Sequence, residues 1–328
     1  MHREISIIIP CAPGKYPDLV LHSLQQLNYP KDKMQVIVVE GKQPARQRNE
    51  AIKRATGEIV FFFDDDVTVE KDIVNKMLEH YYNGSVAVVG GPNLTPETDS
   101  HLQKCFGYIM ASSLASYKMG TRYKQSGESR EADEKELILC NLSSRRSVLD
   151  KEGAFVENLW PNEENELFNR LHGRGYSLIY DPDAVVYHSR RPSVASFVKQ
   201  LFGYGRGRAE QTLIQPSSLR PVFLIPSVFL LYLISIPLVI LLLHLSLRLS
   251  LIYSAPLFFY IACCLIGALK IAYQERDARS VLYLPWMFAM THLPYGSGFL
   301  YGVLKQAHRK RGRIQSPVNI SFVSVDNL

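Results

Sequence analysis

The chain has 328 residues, 47% of them hydrophobic, and 37 Lys and Arg against 31 Asp and Glu give a formal net charge of +6. That length allows one large or two ordinary domains with ample apolar material for a core, and the modest charge sets nucleic acid aside in favour of anionic headgroups or phosphates. Cys11, Cys105 and Cys140 are scattered and Cys263 and Cys264 lie in an apolar run, so the cysteines indicate neither a zinc site nor a disulfide framework and suit a reducing, cytosolic side.

Ile5 to Pro10 reads as a first strand, and no apolar core behind a basic stretch precedes it, so no signal peptide is expected. Tyr16 to Leu27 carries Val20, Leu24 and Leu27 at helical spacing before Tyr29 and Pro30 end it, and Gln35 to Val39 is a second strand. A helix follows from Pro44 to Ala55, with Pro in its first turn and Ala45, Ile52 and Ala55 on one face. Ile59 to Phe63 is an unbroken apolar run, which predicts a strand buried on both faces. The βαβαβ order continues with a helix near Asp72 to Tyr82 and a strand at Val86 to Val89. It predicts an α/β fold, a mostly parallel sheet with helices on both faces. No GxGxxG turn follows the first strand and no GxxxxGK run occurs, which argues against a dinucleotide cofactor and a P-loop.

Asp64, Asp65 and Asp66 stand at the carboxyl end of the third strand, where open parallel sheets bind ligands. Three like charges there are unfavourable unless a cation or phosphate-bound metal offsets them; the alternative is a solvated acidic turn. Asn162, Glu163 and Glu164 open a helix whose Leu167, Phe168 and Leu171 form one face, and the helix dipole favours acidic groups in a first turn whether or not they are catalytic. Further on, Arg190, Arg191, Gln200, Arg206 and Arg208 are interleaved with Phe197, Phe202 and Tyr204. Gly203, Gly205 and Gly207 within this segment predict a mobile or tightly turned loop, or a plain interfacial turn.

SIIIP at the start, VVEG at Glu40, ARQRNEAIKRATGEIVFFFDDD, NEENELFNRL, and VVYHSRRPS with KQLFGYGRGRAE occur in an order that resembles an inverting glycosyltransferase of the GT-A fold, glycosyltransferase family two. That large family includes membrane-associated exopolysaccharide and dolichol-phosphate sugar transferases; SRRPS through GRGRA with the apolar tail most resembles the bacterial succinoglycan type. The resemblance implies a nucleotide-sugar donor, Mg²⁺ or Mn²⁺ as cofactor, and a DxD pair at Asp64 and Asp66, with Asp66 the direct metal ligand and Asp65 intervening on the donor side. A divalent cation on the diphosphate would act as Lewis acid for the leaving group. His188, closing VVYH, is a candidate further ligand or a hydrogen-bonded strand-end histidine. Pro10 and Ala12 would line the donor pocket through their backbone, Glu40 would meet the nucleobase where relatives have Asp, and Arg48 would reach nucleobase or phosphate. The family's ED motif falls on Glu163 and Glu164. Glu164 is the candidate general base, and Glu163 remains the alternative. Trp160 is a candidate platform for a sugar ring or lipid headgroup. Arg206 and Arg208 are assigned to the donor diphosphate, and Arg190, Arg191 and Gln200 to a lipid-linked, polyprenyl acceptor. Gly203 and Tyr204 replace the Arg and Trp of the QxxRW motif of processive synthases, which favours single addition. Gly120 to Glu136, polar and aperiodic, is expected to be a flexible acceptor-side loop.

Val222 to Leu245 and Leu251 to Leu269 are each long enough to span a hydrocarbon core of about 30 Å, joined by a hairpin at His244 to Ser250. Val281 to Leu304 contains Pro285, Pro294, Gly296, Gly298 and Gly302, a backbone less suited to a lipid-exposed helix. With a cytosolic catalytic domain, a third full span would put Lys305, Arg309, Lys310, Arg311 and Arg313 outside, against the positive-inside tendency. The segment is therefore expected to be interfacial or re-entrant, with a third full span as the alternative. The expected organisation is a catalytic domain over 1–215, a membrane domain over 216–304 and a basic cytosolic tail over 305–328, in a multi-pass protein of the plasma (inner) membrane. Membrane lipid and other enzymes of envelope polysaccharide synthesis are the expected associates, and nucleic acid is not. A processive polysaccharide synthase, a metal-dependent nucleotidyltransferase and a non-catalytic membrane scaffold are the competing readings.

Overall fold

The structure, a computed structural model, describes residues 2–306 and 316–324. Two compact units emerge, Met1–Asp99 with Lys118–Arg190 and Arg311–Leu328, and Ser100–Tyr117 with Arg191–Lys310. In chain order the first opens with β1 (Ile5–Cys11), α1 (Asp18–Gln25), β2 (Met34–Glu40), α2 (Pro44–Ile52), β3 (Ile59–Phe63), β4 (Val67–Val69), α3 (Ile73–Glu79), β5 (Val86–Gly90) and β6 (Asn93–Leu94). Helices α4 (His101–Ala111) and α5 (Ser113–Ser116) belong to the second unit. The first resumes with β7 (Arg130–Glu131), β8 (Asn141–Arg145), α6 (Arg146–Glu152), α7 (Glu163–Gly173), β9 (Ser177–Tyr180) and β10 (Val186–His188). Then α8 (Val194–Ile214), α9 (Pro221–Leu242), α10 (Leu247–Gln274) and α11 (Leu284–Gln306) complete the second, and β11 (Asn319–Val323) returns to the first.

The sheet order is β11-β2-β1-β3-β8-β5-β9-β7, with β4-β10-β6 as a smaller sheet. Strands β2, β1, β3, β5 and β9 share one direction; β8 is inserted antiparallel between β3 and β5, and β7 and β11 run antiparallel at the two edges. Every residue of β1 and β3 is buried, because successive side chains enter different cores. Phe61 and Phe63 pack with Ile7 and Met77 on one face, while Val60 and Phe62 pack with Ile8 and Phe168 on the other. This two-sided burial is why the run shows no alternation, and each buried Phe contributes about 1.5–3 kcal/mol.

Several sequence expectations are corrected. Gly203, Gly205 and Gly207 lie inside the continuous helix α8, not in a loop. A Cβ on Gly205 would come within 1.9 Å of the Tyr295 carbonyl oxygen, and one on Gly298 within 2.1 Å of that of Phe202, so these glycines let α8 and α11 approach backbone to backbone. The glycines of the third apolar run likewise serve packing within an unbroken helix, α11. Gly120 to Glu136 is tied into the fold: buried Arg122 donates to the Lys135 carbonyl at 2.8 Å and to Asn165 Oδ1 at 2.7 Å, and Arg130 pairs with Glu136 at 2.6 Å. The turn between the first two apolar helices is shorter than expected, 243–246. The division into units does not fall at residue 215, since α4 and α8 pack with the apolar helices and β11, beyond them, extends the sheet. Of the expected basic tail, Arg309, Lys310, Arg311 and Arg313 lie outside the described residues. Among the described residues two helices, α9 and α10, are long and apolar enough to cross a membrane.

Candidate functional site

Strand register assembles the acidic cluster. Phe63, the last residue of β3, pairs with Asn141, the first of antiparallel β8, so Asp64 and Cys140 are the next residues beyond that pair. His188 pairs with Val67 across β10 and β4, which places it beside Asp66. The imidazole Nε2 lies 3.1 Å from Asp66 Oδ1, and one donor atom each from Asp64, Cys140 and His188 fall within 4.8 Å of one another. Burial alone would depress the His188 pKa, but hydrogen bonding and charge from Asp66 and Cys140 outweigh it and raise it to about 10. Asp65 turns elsewhere, to Lys15 Nζ at 2.9 Å. Burial raises its pKa and the Lys15 bond opposes that shift.

Arg48 joins this cluster to the second acidic pair. It sits on the inward face of α2, 6% exposed, and its Nη2 donates to Asp64 Oδ1 at 3.0 Å while Nη1 donates to Glu163 Oε1 at 3.2 Å. Its guanidinium is thus committed to two carboxyl groups, where sequence reading directed it to nucleobase or phosphate. Glu163 and Glu164 occupy the first turn of α7, after Asn162 at φ 94°, a left-handed conformation that Asn tolerates better than most residues. Glu163 is buried; desolvation and the charge of Glu164 outweigh Arg48 and raise its pKa from 4.5 to about 8. Glu164 is half-buried, with Asn165 Nδ2 3.4 Å from its Oε1. The two adjacent carboxyl groups thus stand in unequal surroundings, Glu163 enclosed and paired with Arg48 and Glu164 partly open.

Around them, Gly14 N donates to Glu40 Oε1 at 3.2 Å, Pro10 is buried and Ala12 exposed. Asn49 holds the segment before α7 by donating to the Phe155 carbonyl at 2.8 Å and accepting from Phe155 N at 3.0 Å. Trp160 is exposed. Arg190, assigned to an acceptor, donates instead to Asn93 Oδ1 at 2.8 Å and Thr95 Oγ1 at 2.9 Å and lies over the Tyr123 ring. Arg191, Gln200, Arg206 and Arg208 belong to the helical unit. There Arg191 is exposed, Gln200 donates to Tyr204 at 2.7 Å, Arg206 faces Glu210 at 3.8 Å, and buried Arg208 donates to Gln211 at 2.8 Å and covers the Phe223 ring. Lys15 and Cys140 escaped sequence reading. Nothing local marks them, because one depends on side-chain pairing across two loops and the other on the β3–β8 register.

Residues 17–141 match the model for Glycosyl transferase family 2. The chain is 22% identical to a dolichyl N-acetyl-alpha-D-glucosaminyl phosphate 3-beta-D-2,3-diacetamido-2,3-dideoxy-beta-D-glucuronosyltransferase of Methanococcus voltae, over 92% of this chain and 97% of that one. It is 26% identical to a pre-mycofactocin glycosyltransferase of Mycobacterium tuberculosis, over 55% of this chain and 37% of that one. In three dimensions it resembles a mannosyltransferase from Pyrobaculum calidifontis solved in complex with GDP-Man and Mn²⁺, with a TM-score of 0.56, 17% identity, and coverage of 93% of this chain and 88% of that one. That likeness bears on the fold, and the family match on the sequence. With the strand order and the matched segment taken together, this chain is a glycosyltransferase that carries a Glycosyl transferase family 2 domain in a GT-A fold.

Proposed function

We propose that the protein is a membrane-anchored enzyme that moves a sugar from a nucleotide-diphosphate sugar to a hydroxyl of a lipid-linked or polysaccharide-precursor acceptor, with inversion at the anomeric carbon. The observation that carries this reading is the Arg48 bridge, which links an acidic group at the end of β3 to a carboxylate pair at the start of α7. Asp66, Asp64 and His188 offer carboxylate and imidazole donors suited to Mg²⁺ or Mn²⁺, and Asp64 and Asp66 are open enough to be reached. When bound, such an ion would neutralise charge on the departing nucleoside diphosphate. Glu164 takes the proton of the acceptor hydroxyl as its oxygen attacks the anomeric carbon, and Glu163, protonated and held by Arg48, positions the first turn of α7. The name of the Methanococcus relative, which describes a dolichyl phosphate-linked substrate, supports a lipid-linked acceptor.

The test is nucleoside diphosphate release by the detergent-solubilised full chain with membrane lipids, screened over UDP-, GDP- and dTDP-sugars with Mn²⁺ or Mg²⁺. One donor is expected to support release, and Asp66→Asn is expected to lower it about 10²-fold or more, the order of loss when a charge-stabilising group is removed. Pyrophosphate release from a nucleoside triphosphate would favour nucleotidyl transfer instead. Failure to bind any nucleotide sugar would leave the scaffold reading.

The same proposal gives α9 and α10 as the membrane spans and the catalytic unit a cytosolic position. Antiparallel pairing of β11 with β2 supports an even number of crossings between residues 220 and 319, because strands of one sheet lie on one side of a bilayer. α11 then does not cross. In a cysteine-free background, Ser316→Cys is expected to react with a membrane-impermeant maleimide only after permeabilisation; labelling in intact cells would require an odd number of crossings or the opposite orientation.

A further inference from the structure

The helical unit holds a second group of metal-ligating side chains, which none of the roles above uses. His101 and Cys105 lie one turn apart on α4 and share a face. The start of that helix is fixed by a capping box, in which Ser100 Oγ accepts from Gln103 N and Gln103 Oε1 accepts from Ser100 N at 3.1 Å. Asp277 follows α10 in the turn towards α11. Its own N–H donates to the Ala272 carbonyl at 3.0 Å, and its carbonyl accepts from Ser280 N at 3.2 Å and Ser280 Oγ at 2.7 Å. With the main chain so engaged, the carboxylate meets His101, Oδ2 to Nε2 at 2.8 Å. Cys105 Sγ lies 3.9 Å from His101 Nδ1 and 4.0 Å from Nε2, and donor atoms of the three residues fall within 4.8 Å of one another. The Tyr283 ring meets the imidazole edge-on at 5.7 Å and restricts its orientation.

A His–Asp ion pair with a bystander thiol is the plain alternative. Three features favour a ligand set. The donors come from two segments far apart in sequence, both held by backbone bonds. The thiol is fully buried beneath a pair whose imidazole is 40% exposed, so the group is closed on the protein side and open to one solvent ligand. Thiolate, imidazole and carboxylate together match a tetrahedral Zn²⁺ with water in the fourth position, and not the hard-oxygen shell of Mg²⁺ or Ca²⁺. We infer that His101, Cys105 and Asp277 bind a zinc-class divalent cation that fastens the first turns of α4 to the α10–α11 turn. Binding displaces the thiol proton to solvent and leaves the ion held by Sγ, an imidazole nitrogen and a carboxylate oxygen.

The probe is Co²⁺, titrated into the full chain in detergent after chelator treatment. A Cys140→Ser background removes the other thiol that lies among metal-ligating groups within the described residues. One equivalent is expected to produce a thiolate-to-cobalt charge-transfer band that Zn²⁺ abolishes by displacement. Cys105→Ser should remove the band, and His101→Ala, at an exposed position that spares the core, should weaken Co²⁺ binding about tenfold or more. Zn²⁺ should raise the thermal unfolding midpoint of the Cys140→Ser protein more than that of its His101→Ala derivative, which keeps the Asp64, Asp66 and His188 donors. Absence of the band, or an equal band and affinity in both variants, would overturn the site. Either result is read from cobalt absorption and thermal unfolding, so it does not depend on sugar transfer.

Discussion

Glu164→Gln lowers kcat by about 10²–10⁴-fold, the contribution of a positioned general base, while nucleotide-sugar binding stays near wild type. Glu163→Gln behaves differently, because a buried carboxyl that already carries its proton is closely mimicked by an amide. Its effect on turnover is expected to be small, and its signature is in stability against pH. The folded state holds a proton on Glu163 up to a pKa of about 8, whereas the unfolded chain releases it near 4.5. Unfolding therefore releases a proton between these values, and wild-type stability falls as pH rises through that window. Glu163→Gln removes this part of the slope, so its unfolding midpoint exceeds that of wild type at pH 8, and the difference shrinks towards pH 4.5. Steady-state kinetics with both variants and thermal unfolding across the window check the assignment. Equal kinetic losses in the two variants, or a large loss only with Glu163→Gln, would move the base role from Glu164.

Arg48→Met is the second large effect, this time on the fold of the site. The substitution keeps the length and apolar stem of the side chain but removes the donors to Asp64 and Glu163, bonds of 3.0 and 3.2 Å made by a group that is 6% exposed. Losing hydrogen bonds of this charged kind costs about 2–3 kcal/mol. For a unit of this size that lowers the thermal midpoint by about 4–12 °C. Arg48→Lys should be intermediate, since a single ammonium can reach one of the two carboxyl groups and lacks the fork that spans both. Activity should fall in both variants even below the melting transition, because Asp64 and the start of α7 lose their common anchor. Midpoints unchanged in both would mean that the bridge contributes nothing, and the acidic groups would then be positioned by strand register and the helix start alone.

The strands and helices of the first unit were legible because each has a local signature. β3 announced itself as an unbroken apolar run, α2 by Pro44 and its spaced apolar positions, and the acidic turn by its place after β3. Where local pattern misled, packing had changed the meaning of a residue type. Alternate glycines in 203–207 have the composition of a loop, yet they lie within helix α8, where α11 comes close enough to exclude a Cβ at Gly205. Polar composition in 120–136 resembles a flexible segment, yet Arg122 and Arg130 satisfy carbonyl and carboxylate groups that would otherwise need water. Arg190 looked available for a phosphate and is engaged by Asn93 and Thr95.

The sequence by itself determined the α/β class of the fold, the acidic turn after the third strand, the acidic start of α7 and the two long apolar helices, since each follows from short-range periodicity, charge or length, and the order of its motifs supplied the resemblance to the GT-A fold. Only the tertiary structure decided which of these groups meet. Register between antiparallel β3 and β8 sets Cys140 near Asp64, and pairing of β10 with β4 sets His188 at Asp66. Arg48 reaches Glu163 across 115 positions of chain, and His101 meets Asp277 across 176. Such contacts depend on crossovers, strand pairing and helix packing, which are cooperative over the whole unit, so no window of sequence contains them.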